Sequence, residues 1–116
     1  MQIRRCVPDL PVDDTHRAKE FYVDVLGLEI GMDMGWIVNF GAPNNETAQI
    51  IVMEKDETAP MRPNLTIEVE DVDAIHREAE ARGYEIVHPL TNESWGVRRF
   101  FVRDRDGNVV NVMKHF

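Results

Sequence analysis

Val12-Asp13-Asp14-Thr15-His16-Arg17-Ala18-Lys19-Glu20-Phe21-Tyr22-Val23-Asp24-Val25-Leu26-Gly27-Leu28-Glu29-Ile30 decides the fold, because the chain writes it a second time. The second version opens at Val69-Glu70-Asp71, runs through Ala74–Ala81 and stops at Arg82-Gly83-Tyr84-Glu85-Ile86. Short apolar runs follow each copy, and the last of them correspond: Ile50-Ile51-Val52-Met53 with Val110-Asn111-Val112-Met113. An internal repeat of this length governs how the whole chain is read. Asp13 or Asp14 can cap the first helix by accepting orphan backbone N–H groups. Within Thr15–Val25, the residues Ala18, Phe21, Tyr22 and Val25 recur at spacings of three and four, the stripe of an amphipathic helix. Gly27 suits the left-handed residue that ends it.

Outward from that stretch, residues 2–12 read as a strand containing Pro8 and Pro11, expected at an edge or locally bulged because proline cannot donate to a ladder. Residues 29–33 and 36–41 read as strands, 42–47 as a loop and 49–54 as a fourth strand. Pro60 and Pro63 mark a linker over 57–63. Beyond it, Leu65, Ile67 and Val69 alternate with polar residues as in a half-buried strand. A helix over 71–82 turns Val72, Ile75 and Ala79 inward. Residues 85–88 are expected as a strand, 89–96 as a loop, and 98–103 and 108–114 as a hairpin turning at Asp106-Gly107. The expectation is an α+β fold of two tandem βαβββ modules, 1–56 and 64–116, within one domain spanning 1–116. Their strands would form a curved mixed sheet around a concave cavity.

The 116 residues allow one core, while each half alone would be marginal. A content of 43% apolar and 29% charged residues excludes a disordered chain. No run reaches the ~20 apolar residues that span a bilayer, and no apolar segment follows Met1-Gln2-Ile3-Arg4-Arg5-Cys6, so a cytoplasmic protein without a membrane partner is expected. A single cysteine, Cys6, excludes an internal disulfide framework and a Cys-rich zinc site. The net charge of −8 argues against nucleic acid and is compatible with a cationic ligand.

The segments Phe21-Tyr22-Val23-Asp24-Val25-Leu26-Gly27-Leu28 and Trp95-Gly96-Val97-Arg98-Arg99-Phe100-Phe101-Val102-Arg103-Asp104-Arg105-Asp106-Gly107-Asn108, with the repeat, resemble the vicinal oxygen chelate superfamily. That group includes glyoxalase I, extradiol dioxygenases, fosfomycin-modifying enzymes and bleomycin-resistance proteins. The Trp-Gly hairpin is most similar to the bleomycin-resistance and glyoxalase-like branch; Arg105 stands where proline is usual. The resemblance implies a divalent metal held by four side chains, one pair per module, on the first and last strands. Transferred residue by residue, those positions are Val7, Ile51, Asn64 and Asn111. Two are aliphatic and two are neutral amides, whereas a catalytic metal calls for imidazole or carboxylate donors. No metal or other cofactor is therefore expected.

The remaining candidates have structural readings. His16, His76, His88 and His115 lack metal-ligand spacing and are expected at the surface. Asp104 and Asp106 belong to a turn. Ser94 has no nucleophile-elbow motif around it. Cys6 is expected as a core or pocket-wall thiol. If Asp104 and Gly107 flank a two-residue turn, Arg98, Phe100, Val102, Val109, Asn111 and Met113 share the cavity face, while Phe101, Val110 and Val112 pack under a helix. Gln49, Ile51 and Met53 are the inward set of the first module, and Trp95 is expected to stack on a ligand. The catalytic residues are left unknown. The expected ligand-binding set is Asn64, Trp95, Arg98, Phe100, Asn111, Met113, Ile51 and Met53.

The function expected is that of a glyoxalase/bleomycin resistance-like protein: metal-independent binding and sequestration of a small molecule, cationic or planar aromatic, by a homodimer. Such sequestration could confer antibiotic resistance. The alternatives are a metal-dependent lyase or dioxygenase of the same superfamily, and a cofactor-free enzyme using pocket amides and Arg98 for electrostatic stabilisation.

Overall fold

The structure is a computed structural model that describes residues 2–116, so Met1, at the start of the expected first module, lies outside the described residues. The chain runs β1 (Ile3–Pro11), α1 (Thr15–Lys19), a π-helical stretch (Glu20–Val25), β2 (Glu29–Asp33), β3 (Ile37–Ala42), β4 (Asn45–Met53), β5 (Leu65–Val69), α2 (Val72–Ala81), β6 (Glu85–Glu93), β7 (Val97–Arg103) and β8 (Val109–His115). This is the α+β arrangement of two βαβββ repeats read from the sequence. Val7–Arg62 forms one compact unit; Pro63–Phe116 and the N-terminal residues up to Cys6 form the other. The division falls inside β1. In the second unit Glu70 N donates to Gln2 O and Arg5 Nε to Glu68 Oε1, whereas Asp9, Leu10 and Pro11 pair in parallel with Ile51, Val52 and Met53 of β4.

In the first unit the ladder is ordered β2-β3-β4-β1. Val38, Phe40 and Val52 form its buried core, closed by Ala18, Tyr22 and Val23 from the helical segment. Asp14 caps that segment, its carboxylate accepting from His16 N and Arg17 N. The continuous α-helix expected over Thr15–Val25 widens at Glu20 into a π-helix, with Leu26 N donating to Phe21 O. The physical reason lies in the repeat. One more residue separates Asp14 from Gly27 than separates Asp71 from Gly83, and both glycines hold φ of +77°. The wider turn takes up that residue while the two helix ends keep the same exit. The expected loop over 42–47 is shorter, because β4 begins at Asn45 and pairs with Ala42 across a bulge.

In the second unit the ladder is ordered β5-β8-β7-β6, with β5 and β8 parallel and the rest antiparallel. Asp71 caps α2 through Ala74 N. Phe100, Val69, Val72 and Val112 form the core under this helix, flanked by Ile75, Ala79, Val102 and Val110. The segment expected as a loop over 89–96 is strand up to Glu93. Pro89 is accommodated because β6 is an edge of this ladder and its register shifts around His88.

The hairpin register differs from the expected one by a residue. Arg103 pairs with Val109, not Asn108, so Phe101 faces Asn111 and Phe100 faces Val112. The cause is the Asp104 carboxylate. It accepts from Asp106 N and Asn108 N, both at 2.9 Å, and from Asn108 Nδ2 at 2.8 Å, while Asp104 N donates to Asn108 O. These bonds draw Asn108 into the turn, and Gly107 supplies the positive φ of +92° that the loop requires. A one-residue slip exchanges the faces of every side chain on a strand. Phe100 and Arg98 therefore belong to the helix side, correcting the cavity-face assignment, and Phe101 lies on the opposite side.

The hydrogen bonds from Asn108 lower the Asp104 carboxyl below the ordinary carboxylate range. A depressed carboxyl stabilises the fold above its unfolded pKa and loses that contribution as pH falls through the folded value. Asp104→Ala is expected to lower the urea midpoint at neutral pH. The difference from the parent should shrink in acid, once the pH has fallen below the ordinary carboxylate range; an equal difference in acid and at neutral pH would refute this role.

Candidate functional site

The face of the second unit turned away from α2 holds a set of buried polar side chains: Thr66, His88, Glu93, Arg99 and Asn111. Asn111 on β8 stands between Thr66 of β5 and Phe101 of β7. Its Nδ2 donates to Thr66 Oγ1 at 3.2 Å. Asn111 is only 8% exposed, and among the described residues its Oδ1 is the buried side-chain atom left without a hydrogen-bond partner. Burying an amide oxygen unpaired is unfavourable by about 1–3 kcal/mol, so its retention calls for an explanation. Met113 pairs with Arg99 on β7 and with Glu68 on β5, and Arg5 Nε donates to that glutamate at 2.7 Å.

Beside Asn111 lies a buried ionic cluster. Glu93 Oε2 accepts from Arg99 Nε at 2.6 Å and lies 3.1 Å from His88 Nε2. The His88 ring centroid is 5.1 Å from that of Phe101. The Arg99 guanidinium carbon sits 4.8 Å from the centre of the Phe101 ring and 5.0 Å from that of Trp95, a cation–π arrangement. His88, expected at the surface, is thus a buried partner of Glu93, because β6 runs on through the segment read as loop. Arg99 and Glu93 were not singled out from sequence. The one-residue register shift places Arg99 on this face, where the sequence pattern had placed Arg98.

The expected ligand-binding residues divide. Asn111 and Met113 share the face with Phe101, and Trp95 lies against Arg99. Asn64 is exposed, and its Oδ1 accepts from Val109 N at 2.8 Å, so this amide secures the strand end. Phe100 is fully buried under α2, edge-on to His76 at 4.9 Å. Arg98 makes a two-pronged contact with Asp73 on α2, Nη2 to Oδ1 at 2.7 Å and Nε to Oδ2 at 3.1 Å, which lowers the Asp73 carboxyl. Both residues hold the helix to the sheet. Ile51 and Met53 are buried in the first unit, on the strand face opposite the core residues Val38 and Val52. Cys6, expected in the core or a pocket wall, is exposed.

The donor set does not fit a catalytic divalent metal. Of the four positions implied by the resemblance, Val7 and Ile51 offer no donor atom, Asn64 Oδ1 is engaged with backbone, and Asn111 Oδ1 alone is open. Among the described residues no three His, Cys, Asp or Glu side chains are grouped to hold an ion. A carboxylate the sequence reading passed over, Asp9, is buried beside Ile51. The repeat could have found it, since Asp9 faces Ile51 as Thr66 faces Asn111.

The comparisons with known proteins agree with this architecture. A family model described as Glyoxalase/Bleomycin resistance protein/Dioxygenase superfamily matches residues 2–112. The uncharacterized protein YetH of Bacillus subtilis (strain 168) is 26% identical over 107 residues, covering 84% of this chain and 87% of YetH. Among solved structures, a glyoxalase/bleomycin resistance protein/dioxygenase superfamily member from Vibrio splendidus 12B01 has a TM-score of 0.69 at 20% identity, over 97% of this chain and 99% of that one. Methylmalonyl-CoA epimerase from Mycobacterium tuberculosis has a TM-score of 0.71 at 21% identity, over 95% and 86%. At these identities the likeness is one of fold.

Removing one member of a buried ion pair leaves charge uncompensated and is destabilising by about 3–5 kcal/mol. Glu93→Ala should show a loss of that order in urea unfolding. The double variant Glu93→Ala/Arg99→Met should recover most of it; equal losses in the single and double variants would refute the pairing.

Proposed function

The chain belongs to the Glyoxalase/Bleomycin resistance protein/Dioxygenase superfamily, and we propose that within it this protein binds a small molecule without a metal. The observation that carries the reading is Asn111. At the position where the family resemblance implies a metal-binding carboxylate stands a buried amide with its oxygen unpartnered among the described residues. An amide oxygen is a weak ligand for a divalent ion by itself and a good acceptor for an organic N–H or O–H. Phe101 stands opposite it on β7 and Met113 follows it on the same face of β8, both buried. The mechanism is sequestration. Asn111 fixes the ligand's orientation, and the paired charges of Arg99 and Glu93 keep their side chains in place. In this reading the protein acts in the cytoplasm as a homodimer, and antibiotic resistance is one use such binding would have.

Two measurements test it. Protein purified without chelator should contain only trace divalent metal by elemental analysis, and its melting temperature should not respond to EDTA. Stoichiometric Ni, Zn, Fe or Mn would overturn metal independence and favour a lyase or dioxygenase. Separately, Asn111→Leu removes the unpaired oxygen and with it the Nδ2 bond to Thr66 Oγ1, two effects of about 1 kcal/mol and opposite sign, so stability should change by less than about 1 kcal/mol. A residue kept for binding and not for the fold behaves this way; a loss of about 3 kcal/mol would mean that Asn111 is structural.

A further inference from the structure

On the side of the second ladder opposite Asn111, we infer a binding site for a neutral single aromatic ring, seated between α2 and the sheet. It is independent of the Asn111 face. A cavity of about 320 Å³ opens there, with Ile75 and Ala79 of α2 on one side and Val102 and Val110 of the sheet on the other. All four are half-buried, so their apolar surface stays accessible. A closed apolar cavity of about 150 Å³ is already enough to take up benzene.

The repeat identifies the occupant. Ala79 is the counterpart of Tyr22, at the same distance from its capping aspartate (71 to 79, as 14 to 22). Each carbonyl also accepts from the residue after the helix-ending glycine: Leu28 N to Tyr22 O at 2.9 Å, Tyr84 N to Ala79 O at 3.0 Å. Val102 is the counterpart of Phe40, because Val102 pairs with Val110 as Phe40 pairs with Ile50. In the first unit the Tyr22 ring lies stacked on Phe40, with centroids 5.2 Å apart and planes 28° apart, and Phe40 is fully buried. In the second unit a methyl and an isopropyl group stand in place of those two rings. Ile75 and Tyr84 are larger than their counterparts Ala18 and Leu28, yet both line the cavity and leave it open. The first unit therefore displays what this space accommodates, a flat ring lying on the sheet beneath the helix. Charge at the rim is already matched. Arg82 Nε lies 2.5 Å from Glu78 Oε1 and Arg103 Nε 3.3 Å from Glu85 Oε1, while the Asp104 carboxylate is taken up by its own turn. An ion entering here would leave water with no unpaired counter-charge to meet, whereas a neutral ring covers apolar wall.

The probe is 4-methylphenol, the tyrosine side chain as a free molecule. It is titrated to about 10 mM, the range for a fragment of this size, into protein carrying ¹³C-labelled alanine and valine methyls. Saturable shifts are expected at Ala79, Val102 and Val110, with intermolecular NOEs from the probe's ring protons to the Ala79 methyl. The charged analogues 4-methylbenzoate and 4-methylbenzylammonium should bind at least about ten-fold more weakly. Ala79→Tyr/Val102→Phe rebuilds the ring pair of the first unit and should weaken the probe by about ten-fold or more. If that variant does not fold, Ala79→Leu, which narrows the cavity, takes its place beside the NOEs on the parent protein. No saturable shift at these methyls, or undiminished binding by a folded variant with the cavity filled, would overturn the site. Equal or tighter binding of either ion would overturn its assignment to a neutral ring. Concentration-dependent shifts of the same methyls without probe would give the groove to a second copy of the chain and overturn the inference as well.

Discussion

The carboxylate of Asp104 sets the register on which the second unit depends. By accepting from Asp106, Asn108 and the Asn108 side chain, it closes a loop one residue longer than a minimal hairpin turn. Strand side chains alternate, so that residue decides which of two adjacent phenylalanines lies under α2 and which lies beside Asn111. Phe100 and Val112 thereby meet Val69 and Val72 in the core, and Arg98 reaches Asp73 on the helix. Phe101 and Arg99 are left to build the other face. A local hydrogen-bond pattern in an exposed turn thus sorts core from site several residues away.

This explains what could be read from the sequence. Helix caps, glycine stops and apolar spacing are local signals, and Asp14, Asp71, Gly27 and Gly83 stand where those signals put them. The two βαβββ units follow from the same signals, because the repeat lets a weak pattern in one half be checked in the other. Register is not local in that sense. Asp106-Gly107 marks a turn correctly, yet nothing in the dipeptide says that Asn108 is drawn into it. Pro89 similarly read as a loop residue, because its tolerance depends on β6 being an edge. These two misreadings account for the misplacement of Arg98 and Phe100 and for the missed cluster of His88, Glu93 and Arg99.

Strand position was legible in β8, where the side chains alternate as the sequence pattern says. Asn111 was placed by matching the family pattern on β8, a strand whose two faces alternate as expected, whereas its neighbours on β7 were exchanged by the register shift. Asn64 was located by the same argument, but its amide caps the end of a strand. The two asparagines differ in burial: one is exposed with its oxygen engaged by backbone, and the other is enclosed with its oxygen open. Sequence identity cannot distinguish these situations, since both depend on which backbone groups lie within 3 Å.

The π-helical stretch at Glu20–Val25 carries a historical implication. If the halves descend from one duplicated ancestor, the two copies have come to differ by one codon between capping aspartate and terminal glycine, and the difference left both glycines with the same backbone angle. A helix that absorbs an insertion by widening one turn needs no compensating change in the strand that follows. Such a segment is a permissive place for length drift among relatives, and an alignment that forces both helices to equal length will misplace Phe21–Val25 by a residue.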